Sequence, residues 1–277
     1  MNRKRNIYSA VVIALLMLCV CGCSAKRTYQ AICDVNHLEG RRIGVNMAWS
    51  ADYLLSGRDD VKLLRYNTSS DLVMALRFGQ IDAASMEKPF AVEMMSHVSG
   101  LSISDQVVAT AGFVFAVNND RADILDELNE FFTKYEGSPE QEELFERLNT
   151  TGEFDYHKVE ETGGDKVLTV GLPTDSFPIS YIDFETGEYA GSDVEVITRF
   201  ANEYGYRLEF TPGTFTTIEM DIAAGEYDVA IGSFCDVART DSELGGAFQM
   251  TRSYMPCEVV LIEATDPDNI KVLTPVD

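Results

Sequence analysis

The chain has 277 residues, of which 45% are hydrophobic, and its formal net charge is −23 at pH 7. The apolar fraction is that of a globular protein and the length suffices for two domains of ordinary size, which excludes a largely disordered chain. The strong negative charge repels polyanions and anionic lipid headgroups, and nucleic acid is therefore excluded as an expected partner.

The N-terminal residues have the layout of a secretory signal: a basic start at residues 3–5 precedes an apolar run at residues 7–22, which is short for a membrane span. The run ends in "VCGC", which resembles the lipobox of bacterial lipoproteins and predicts acylation of Cys23. The alternative is a signal that happens to be rich in cysteine. We predict a lipoprotein signal peptide over residues 1–22 and a polar tether over residues 23–37.

The first half of the chain alternates strand and helix patterns. The predicted elements are, in order, a strand "RRIGVNM", a helix "SDLVMALRFG", a strand "QIDAAS", a buried strand over Thr110–Asn118 and two amphipathic helices, "ADILDELNEFFTKY" and "SPEQEELFERL". Ser138, Pro139 and Gln141 form a capping box at the start of the second of these helices. This order is typical of an α/β fold.

A polar, glycine-rich stretch over residues 149–165 is longer than most connections inside a compact domain and predicts a linker. The second half begins after it. Its predicted elements are a strand "KVLTVGL", a hairpin-like turn "DFETGEYAG", a helix "SDVEVITRFANEYG", a strand "RLEFTPG", a helix "TTIEMDIAAG" and strands "EYDVAIGSF" and "CEVVLIEA". The sequence therefore predicts two α/β lobes.

One phrase occurs in both halves. "ALRFGQIDAAS" and "DIAAGEYDVAIG" each give a helix end, a glycine (Gly79 and Gly225), two residues, an aspartate and an apolar strand. We interpret each as the corner at which a helix ends and a strand begins, one corner in each lobe.

The ordered series "LTVGLPTDSFPISYIDFETGEYAGSDVEV", "DIAAGEYD", "DVAR" and "MTRSY" resembles lobe 1 of bacterial extracellular solute-binding proteins of the polar amino-acid type, family 3. The stretches "LEGRRIGVNMAW", "ALRFGQIDAASME" and "AGFVFAVNN" resemble lobe 2 of the same family. The resemblance implies a two-lobed periplasmic-binding-protein-like II fold, in which each lobe is a mixed sheet flanked by helices.

The lobe order is the reverse of the family's order. One explanation is circular permutation, with the old termini joined by the linker; the other is a tandem or truncated protein whose halves belong to different copies. We favour permutation because the halves together supply each element once. The expected organisation is a lobe 2-like domain over residues 38–110, a hinge strand and helices packing on lobe 1 over 111–150, a linker over 151–165, and a lobe 1-like domain with a hinge strand over 166–277.

The resemblance also implies a ligand site between the lobes. Arg239 matches the family's arginine, whose guanidinium pairs with an α-carboxylate, and Glu87 matches the acid that accepts an α-ammonium group. Phe177 and Tyr181 match aromatic positions at the ligand. Ser233, with Phe234, is expected to turn backbone groups towards it. The acids Asp193 and Glu195 match a family pair for which a structural role at a helix start is expected.

Two positions depart from the family pattern. Asp236 replaces a threonine and would bring negative charge near Arg239, and Ala48-Trp49 replaces a Gly-Thr loop. Trp49, the only tryptophan of the chain, either stacks on a ligand or covers core. We include Asp236 and Trp49 among the predicted ligand-binding residues, and a cationic or unusual ligand becomes conceivable.

Three cysteines follow Cys23, and their spacing gives no metal signature; neither a metal nor another cofactor is expected. Cys235 and Cys257 lie in successive predicted strands, where a disulfide and two buried free thiols are both open.

The predicted function is capture of a small polar solute, such as an amino acid or a related compound, by an extracytoplasmic protein that is anchored to the cell membrane through Cys23. The protein would deliver its solute to an ABC-transporter permease and would not be an enzyme. The alternatives are a sensory binding module and an enzyme, because cyclohexadienyl dehydratases and accessory domains of peptidoglycan lyases share the fold.

Overall fold

The fold was analysed in a computed structural model of the chain. It describes residues 32, 34–150, 152, 154–214, 217–232, 234–237, 246–265 and 269–273. Cys23, Ser233 and Arg239 lie outside these residues, as do the predicted signal peptide and most of the predicted tether. Within the described ranges, every helix is too short or too polar to cross a membrane.

The described part of the chain contains seven helices, which are α1 (Ser50–Ser56), α2 (Ser69–Arg77), α3 (Lys88–His97), α4 (Ala122–Tyr135), α5 (Pro139–Asn149), α6 (Ser192–Tyr204) and α7 (Ile218–Ala224). Its strands are β1 (Arg42–Asn46), β2 (Lys62–Tyr66), β3 (Ala83–Glu87), β4 (Val98–Ser99), β5 (Leu101–Phe113), β6 (Ala116–Asn118), β7 (Lys166–Pro173), β8 (Asp175–Ser176), β9 (Ser180–Ile182), β10 (Tyr189–Ala190), β11 (Tyr206–Gly213), β12 (Val229–Ala230), β13 (Phe248–Met250), β14 (Met255–Ala264) and β15 (Lys271–Val272).

Two five-stranded mixed sheets organise the fold. The first has the order β2-β1-β3-β14-β5 and the second has the order β11-β7-β12-β6-β13. In each sheet the three strands at one edge are parallel to one another, and the remaining pairings are antiparallel. We call the first sheet with α1, α2 and α3 the first lobe, and the second sheet with α6 and α7 the second lobe. The expected two-lobed α/β architecture is confirmed.

Two chain segments pass from one sheet to the other. The chain leaves the first sheet at the end of β5 and enters the second as β6, and it returns from β13 to the first sheet as β14. Each incoming strand pairs between the lobe's own third strand and the outgoing strand. Each sheet therefore contains a strand supplied by the other half of the chain.

Most predicted elements form, with two corrections. The strand expected over Thr110–Asn118 is divided between β5 and β6, because the chain changes sheets at Val114 and Phe115. The strand expected in "EYDVAIGSF" is reduced to the two residues of β12. The elements α1, β2 and α3, for which the sequence analysis made no prediction, complete the first lobe.

The amphipathic helices α4 and α5 pack on the second lobe. Their buried stripes join one core with the inner residues of β7 and α6, and Phe132 and Phe200 are fully buried there. Ser138 caps α5 as predicted, with its side chain accepting a hydrogen bond from the backbone N–H of Gln141.

The described linker residues run along the second lobe. Lys158 forms an ion pair with Glu188, and the backbone N–H of Thr162 donates to Asn202. The rings of Phe154 and Phe177 lie 6.1 Å apart. The linker is therefore fastened to the lobe by charged, polar and aromatic contacts.

Candidate functional site

A cavity of about 440 Å³ lies where both lobes supply wall residues. The first lobe contributes side chains from the end of β1, the starts of α1 and α2, and one face of α3, whereas the second lobe contributes the loop around β8. The lining residues are Asn46, Trp49, Asn67, Thr68, Ser69, Phe90, Glu93, Met94, His97, Asp175, Ser176 and Phe177.

Aromatic rings form opposing parts of the wall. Trp49 of the first lobe lies against Phe90, with 4.8 Å between ring centroids, and Phe177 of the second lobe lies against Tyr181, also at 4.8 Å. Phe154 of the linker packs edge-on against Phe177. The predicted residues Trp49 and Phe177 thus both line the cavity, and Tyr181 supports Phe177.

The turn between β1 and α1 explains the position of Trp49. Ala48 has a φ of 65°, a left-handed conformation that is uncommon outside glycine, and its backbone N–H donates to Asp52 at 3.1 Å. Trp49 occupies the N-cap position of α1 without a side-chain cap. The Ala48-Trp49 pair, which replaces the Gly-Thr of the family pattern, therefore places an indole ring at the cavity. The backbone N–H of Ala48 is hydrogen-bonded to Asp52 of the same lobe.

One face of α3 supplies a larger share of the wall. Phe90, Glu93, Met94 and His97 have the spacing of a single helical stripe, and all four line the cavity. The carboxylate of Glu93 pairs with the ring of His97 one turn later. These residues were not among the predicted site residues, although their spacing in "FAVEMMSH" is the signal that could have identified them.

Asn46 is the most deeply buried polar residue of the wall, with 3% of its surface exposed. Its Nδ2 donates to Ser69 Oγ at 3.1 Å, whereas its Oδ1 is buried and lacks a hydrogen-bond partner in the described part of the chain. Buried polar atoms without partners are uncommon and call for an explanation. Asn46 Oδ1 is therefore an unsatisfied acceptor in a residue of the cavity wall.

Glu87 lies at the end of β3 beside the start of α1. It is 4% exposed, and its Oε1 accepts a hydrogen bond from the backbone N–H of Ser50 at 2.8 Å. Its Oε2 has no partner among the described residues. Burial raises the pKa of Glu87, and the hydrogen bonds from the start of α1 partly oppose this rise. Glu87 is not among the residues that line the cavity, but it is hydrogen-bonded to Ser50, which follows the lining residue Trp49.

Asp236 lies elsewhere. Its side chain accepts a hydrogen bond from the backbone N–H of Gly112 at 2.6 Å, and its backbone N–H donates to the Gly112 carbonyl at 3.0 Å. Asp236 lines a separate cavity of about 550 Å³ beside Arg252 and Tyr254, where the chain crosses between the sheets. The structure therefore does not bring Asp236 together with Trp49 and Phe177.

The acid pair at the start of α6 is buried and fully engaged. Asp193 accepts hydrogen bonds from the backbone N–H of Gly232 at 2.7 Å and from the Tyr254 hydroxyl. Glu195 forms ion pairs with Arg147 and Arg199, both at 2.9 Å. These contacts agree with the structural role expected for the pair.

The two described cysteines, Cys235 and Cys257, are buried free thiols. Burial raises the pKa of the Cys257 thiol well above its usual value, and a hydrogen bond to Cys235 acts in the same direction. In the described residues, no group of three or more His, Cys, Asp or Glu side chains is arranged to hold a metal ion.

Comparison with known proteins identifies the second half of the chain. Residues 168–268 match the sequence profile of the bacterial extracellular solute-binding proteins, family 3. Over 105 residues the chain is 29% identical to the L-cystine-binding protein TcyA of Bacillus subtilis (strain 168). This match covers 38% of the chain and spans 37% of the length of that relative.

Several solved structures match most of the length of the chain at low sequence identity. The reduced regulatory domain of OxyR from Pseudomonas aeruginosa has 10% identity and a TM-score of 0.41, over 83% of this chain and 88% of that one. The periplasmic VFT2 domain of Bordetella pertussis BvgS has 14% identity and a TM-score of 0.40, over 83% and 82% of the two chains. The GluR0 ligand-binding core in complex with L-glutamate has 11% identity and a TM-score of 0.39, over 82% and 85%.

Proposed function

We propose that the chain captures a small polar solute, an amino acid or a related compound, between its two lobes, because residues 168–268 match family 3 of the bacterial extracellular solute-binding proteins. The observation that carries the proposal is the cavity of about 440 Å³ with wall residues from both lobes. Its size and its mixture of aromatic and polar residues suit a small solute. The relative that binds L-cystine supports an amino-acid-like ligand.

The site as we propose it combines residues from both halves of the chain. Trp49 and Phe177 contact the solute from opposite lobes, and Tyr181 holds Phe177 in place. Glu87 acts from behind the wall, where it fixes the start of α1 through the backbone N–H of Ser50. The lobes would approach one another around the strands that cross between the sheets. Arg239 and Ser233 remain predicted ligand residues, with Arg239 pairing with a carboxylate.

A thermal-shift screen of the purified protein against the common amino acids and L-cystine tests this proposal. We expect at least one compound to raise the melting temperature in a concentration-dependent manner, because a ligand that binds only the folded state stabilises it. Phe177→Ala should reduce the shift strongly, whereas Phe184→Ala, which alters a fully exposed ring of the same lobe, should leave it unchanged. Absence of a shift with every compound would refute the assignment of an amino acid as the solute.

We further propose that Cys23 carries the lipid anchor and that the protein serves an ABC-transporter permease at the extracytoplasmic face of the membrane. The support is the Val20–Cys23 motif behind a basic and apolar start. Metabolic labelling with a fatty acid should mark the full chain, and Cys23→Ser should abolish the label. Cys21→Ser is the matched control and should retain it; loss of label only in that control would contradict the assignment.

We also propose that the lobe order is a circular permutation within one complete binding unit. The support is the exchange of strands, because β6 in the second sheet comes from the first half and β14 in the first sheet comes from the second half. Proteolytic cleavage within residues 151–165 should therefore leave two fragments that co-purify under native conditions. Separation of the fragments without denaturant would favour the alternative, a tandem or truncated protein whose two halves belong to different copies of the binding unit.

A further inference from the structure

We propose that the start of the linker, Gly152 and residues 154–156, positions the Phe177 ring in the cavity wall and connects that wall to α3 of the first lobe. We call this part of the linker the strap. The inference rests on the proposed function, because it concerns how the same cavity is held in shape for its solute. It assigns a positioning role to residues that the sequence analysis predicted only as a connection between two lobes.

Two aromatic rings of the strap lie behind the second-lobe wall. Phe154 meets the Phe177 ring edge-on, with 6.1 Å between the centroids, and Tyr156 meets the Tyr181 ring in the same way at 6.5 Å. Phe177 and Tyr181 in turn pack on each other at 4.8 Å. Edge-to-face contacts of this kind favour particular ring orientations in addition to burying apolar area. The strap therefore supports the Phe177 ring, which lines the cavity, both directly and through Tyr181.

A buried arginine fastens the strap to the second lobe. The guanidinium of Arg147 donates to the backbone carbonyl of Asp155 at 2.6 Å and lies over the Phe154 ring, 5.7 Å from its centroid. It also donates to both carboxylate oxygens of Glu195 at the start of α6, at 2.9 and 3.1 Å. The side chains of Arg147 and Glu195 are 11% and 0% exposed. Because one planar guanidinium contacts a buried carboxylate, a carbonyl and a ring face, it fixes the strap in one position.

The strap also contacts the first lobe. The Ser96 hydroxyl of α3 donates to the Gly152 carbonyl at 3.3 Å, and α5, from which the linker continues, packs against α3. Ser96 directly precedes His97, the last of the four α3 residues that line the cavity. The strap therefore touches residues that support both walls.

The two parts of the linker differ in composition and burial. Residues 160–165 are exposed throughout and contain no aromatic residue. Phe154 and Tyr156, the only phenylalanine and tyrosine of residues 149–165, are half-buried. Burial raises the pKa of Tyr156 to about 12, and the negative charge of Glu195 acts in the same direction. The aromatic residues of the linker are thus concentrated in the part that lies behind the cavity wall.

Acrylamide quenching of Trp49 fluorescence tests the inference without any solute. Trp49, the only tryptophan of the chain, lies in the wall opposite Phe177, so its access to acrylamide reports how closely the cavity is held together. We expect Phe154→Ala to raise the quenching constant about twofold, because the Phe177 ring moves into the vacated space and widens the cavity. Phe154→Tyr keeps the ring and should restore the original constant.

Phe210→Ala is the matched control. It removes a half-buried ring of the same lobe that packs on Tyr189 at 5.1 Å, and neither residue is among the described residues that line the cavity. This variant should leave the quenching constant unchanged, as should a short Gly-Ser insertion after the exposed Gly163. Arg147→Lys keeps a positive charge beside Glu195 but lacks the planar group, and it should raise the constant. Equal increases in Phe154→Ala and Phe210→Ala would overturn the inference.

A double-mutant cycle tests whether Phe154 acts through Phe177. In a Phe177→Ala background, Phe154→Ala should cause no further increase in quenching, because the ring that it positions is already absent. Additive increases from the two changes would show that Phe154 acts independently of the cavity wall and would overturn the positioning role.

Titration with L-cystine, followed by Trp49 fluorescence and by thermal shift, links the strap to solute binding. Phe154→Ala should weaken binding about tenfold, the factor that corresponds to the loss of one favourable aromatic pair, and Phe210→Ala should leave it unchanged. If the unchanged protein fails to bind L-cystine while quenching follows the expected pattern, the strap is supported and the ligand assignment is wrong. Unchanged quenching in Phe154→Ala overturns the strap and leaves solute capture intact.

Discussion

The two lobes use the same contact with the partners exchanged. In the first lobe, the carboxylate of Glu87 at the end of the third parallel strand accepts a hydrogen bond from the backbone N–H of Ser50 at the start of the first helix. In the second lobe, the carboxylate of Asp193 lies at the start of the corresponding helix and accepts from the backbone N–H of Gly232 behind the third strand. In each case an acid joins a strand end to a helix start.

The two acids differ in the hydrogen bonding of their second carboxylate oxygen. In Asp193 this oxygen accepts a hydrogen bond from the Tyr254 hydroxyl, whereas Glu87 Oε2 has no partner among the described residues. Both oxygens of Asp193 are therefore engaged, whereas the first lobe retains acceptors without a partner in Glu87 and Asn46. The first lobe also supplies nine of the twelve residues that line the cavity and, with them, most of its polar side chains.

The largest effect is expected from the buried acids of the first helix in each lobe. Glu195→Ala leaves Arg147 and Arg199 without their shared carboxylate, and removal of one partner from a buried ion pair costs about 3 to 5 kcal/mol. Asp52→Ala removes the acid of α1, whose partner Arg65 is 44% exposed and regains water. We therefore expect a smaller loss of about 1 to 2 kcal/mol there.

Denaturant unfolding measures both free energies. If Asp52→Ala lowers the free energy of unfolding as much as Glu195→Ala does, the proposed difference between the lobes is wrong. Burial of the arginine partners would then not determine the loss of stability. A change in the dependence of unfolding on denaturant concentration would instead indicate an altered denatured state.

Tyr254→Phe tests the hydrogen bond that engages the second oxygen of Asp193. The change removes the hydroxyl that donates to the buried Asp193, and we expect a loss of about 2 kcal/mol. Tyr135→Phe is the matched control, because the Tyr135 hydroxyl is buried without a partner among the described residues. Its removal should be neutral or slightly stabilising. Equal losses from the two variants, measured by thermal and denaturant unfolding, would contradict this account.

The repeated phrase of the sequence has one structural meaning in both lobes. Asp82 accepts a hydrogen bond from the backbone N–H of Arg42 at the start of β1, at 2.8 Å, and Asp228 accepts one from the backbone N–H of Thr169 in β7, at 3.0 Å. Each aspartate also pairs with an arginine side chain, Arg42 or Arg121. The aspartate of each corner therefore ties the third strand to the first.

Asp82→Asn and Asp228→Asn should each cost about 1 to 2 kcal/mol, because each weakens hydrogen bonds to a charged acceptor. Burial raises the pKa of Asp82, but the hydrogen bonds from Arg42 outweigh it, and the net pKa is lowered from 3.8. The stability that Asp82 contributes is thus fully present above pH 3.8 and is lost as the pH falls through the lower folded value. In Asp82→Asn, the part of the acid-induced loss of stability that comes from protonation of Asp82 should be missing. A dependence of stability on pH equal to that of the unchanged protein would contradict this account.

Much of this fold follows from local sequence signals. The periodic apolar residues of α4, α5 and α6 and the capping box of α5 predicted those helices, because the apolar residues at helical spacing are buried in each of them. The division of the Thr110–Asn118 segment between two sheets could not be predicted, since its pairing partners in β13 and β14 are 130 or more residues away.

The candidate site was predicted less completely. Trp49 and Phe177 were identified from their motifs, and both line the cavity. Asn46 was not predicted, because its oxygen is identified as unpaired only from the folded structure. There its Nδ2 donates a hydrogen bond to Ser69, which lies 23 residues later in the chain. Glu93 belongs to α3, for which the sequence analysis made no prediction, although Pro89 in its first turn is typical of a helix start.

The smallest effect concerns the glycine of each corner. Gly79 and Gly225 have φ values of 60° and 81°, and alanine there adopts a left-handed conformation at a cost of about 1 kcal/mol. A Cβ at Gly225 would also lie 3.2 Å from Asn118 Nδ2 on the incoming strand β6, so Gly225→Ala should cost more than Gly79→Ala.

The control is Gly57→Ala, at the end of α1, where φ is −83° and a Cβ meets no atom within 4 Å. It should be neutral or stabilising, since alanine restricts the unfolded chain. Thermal unfolding of the three variants ranks them, and a loss in Gly57→Ala equal to that in Gly225→Ala would remove backbone conformation as the reason for the repeated glycine.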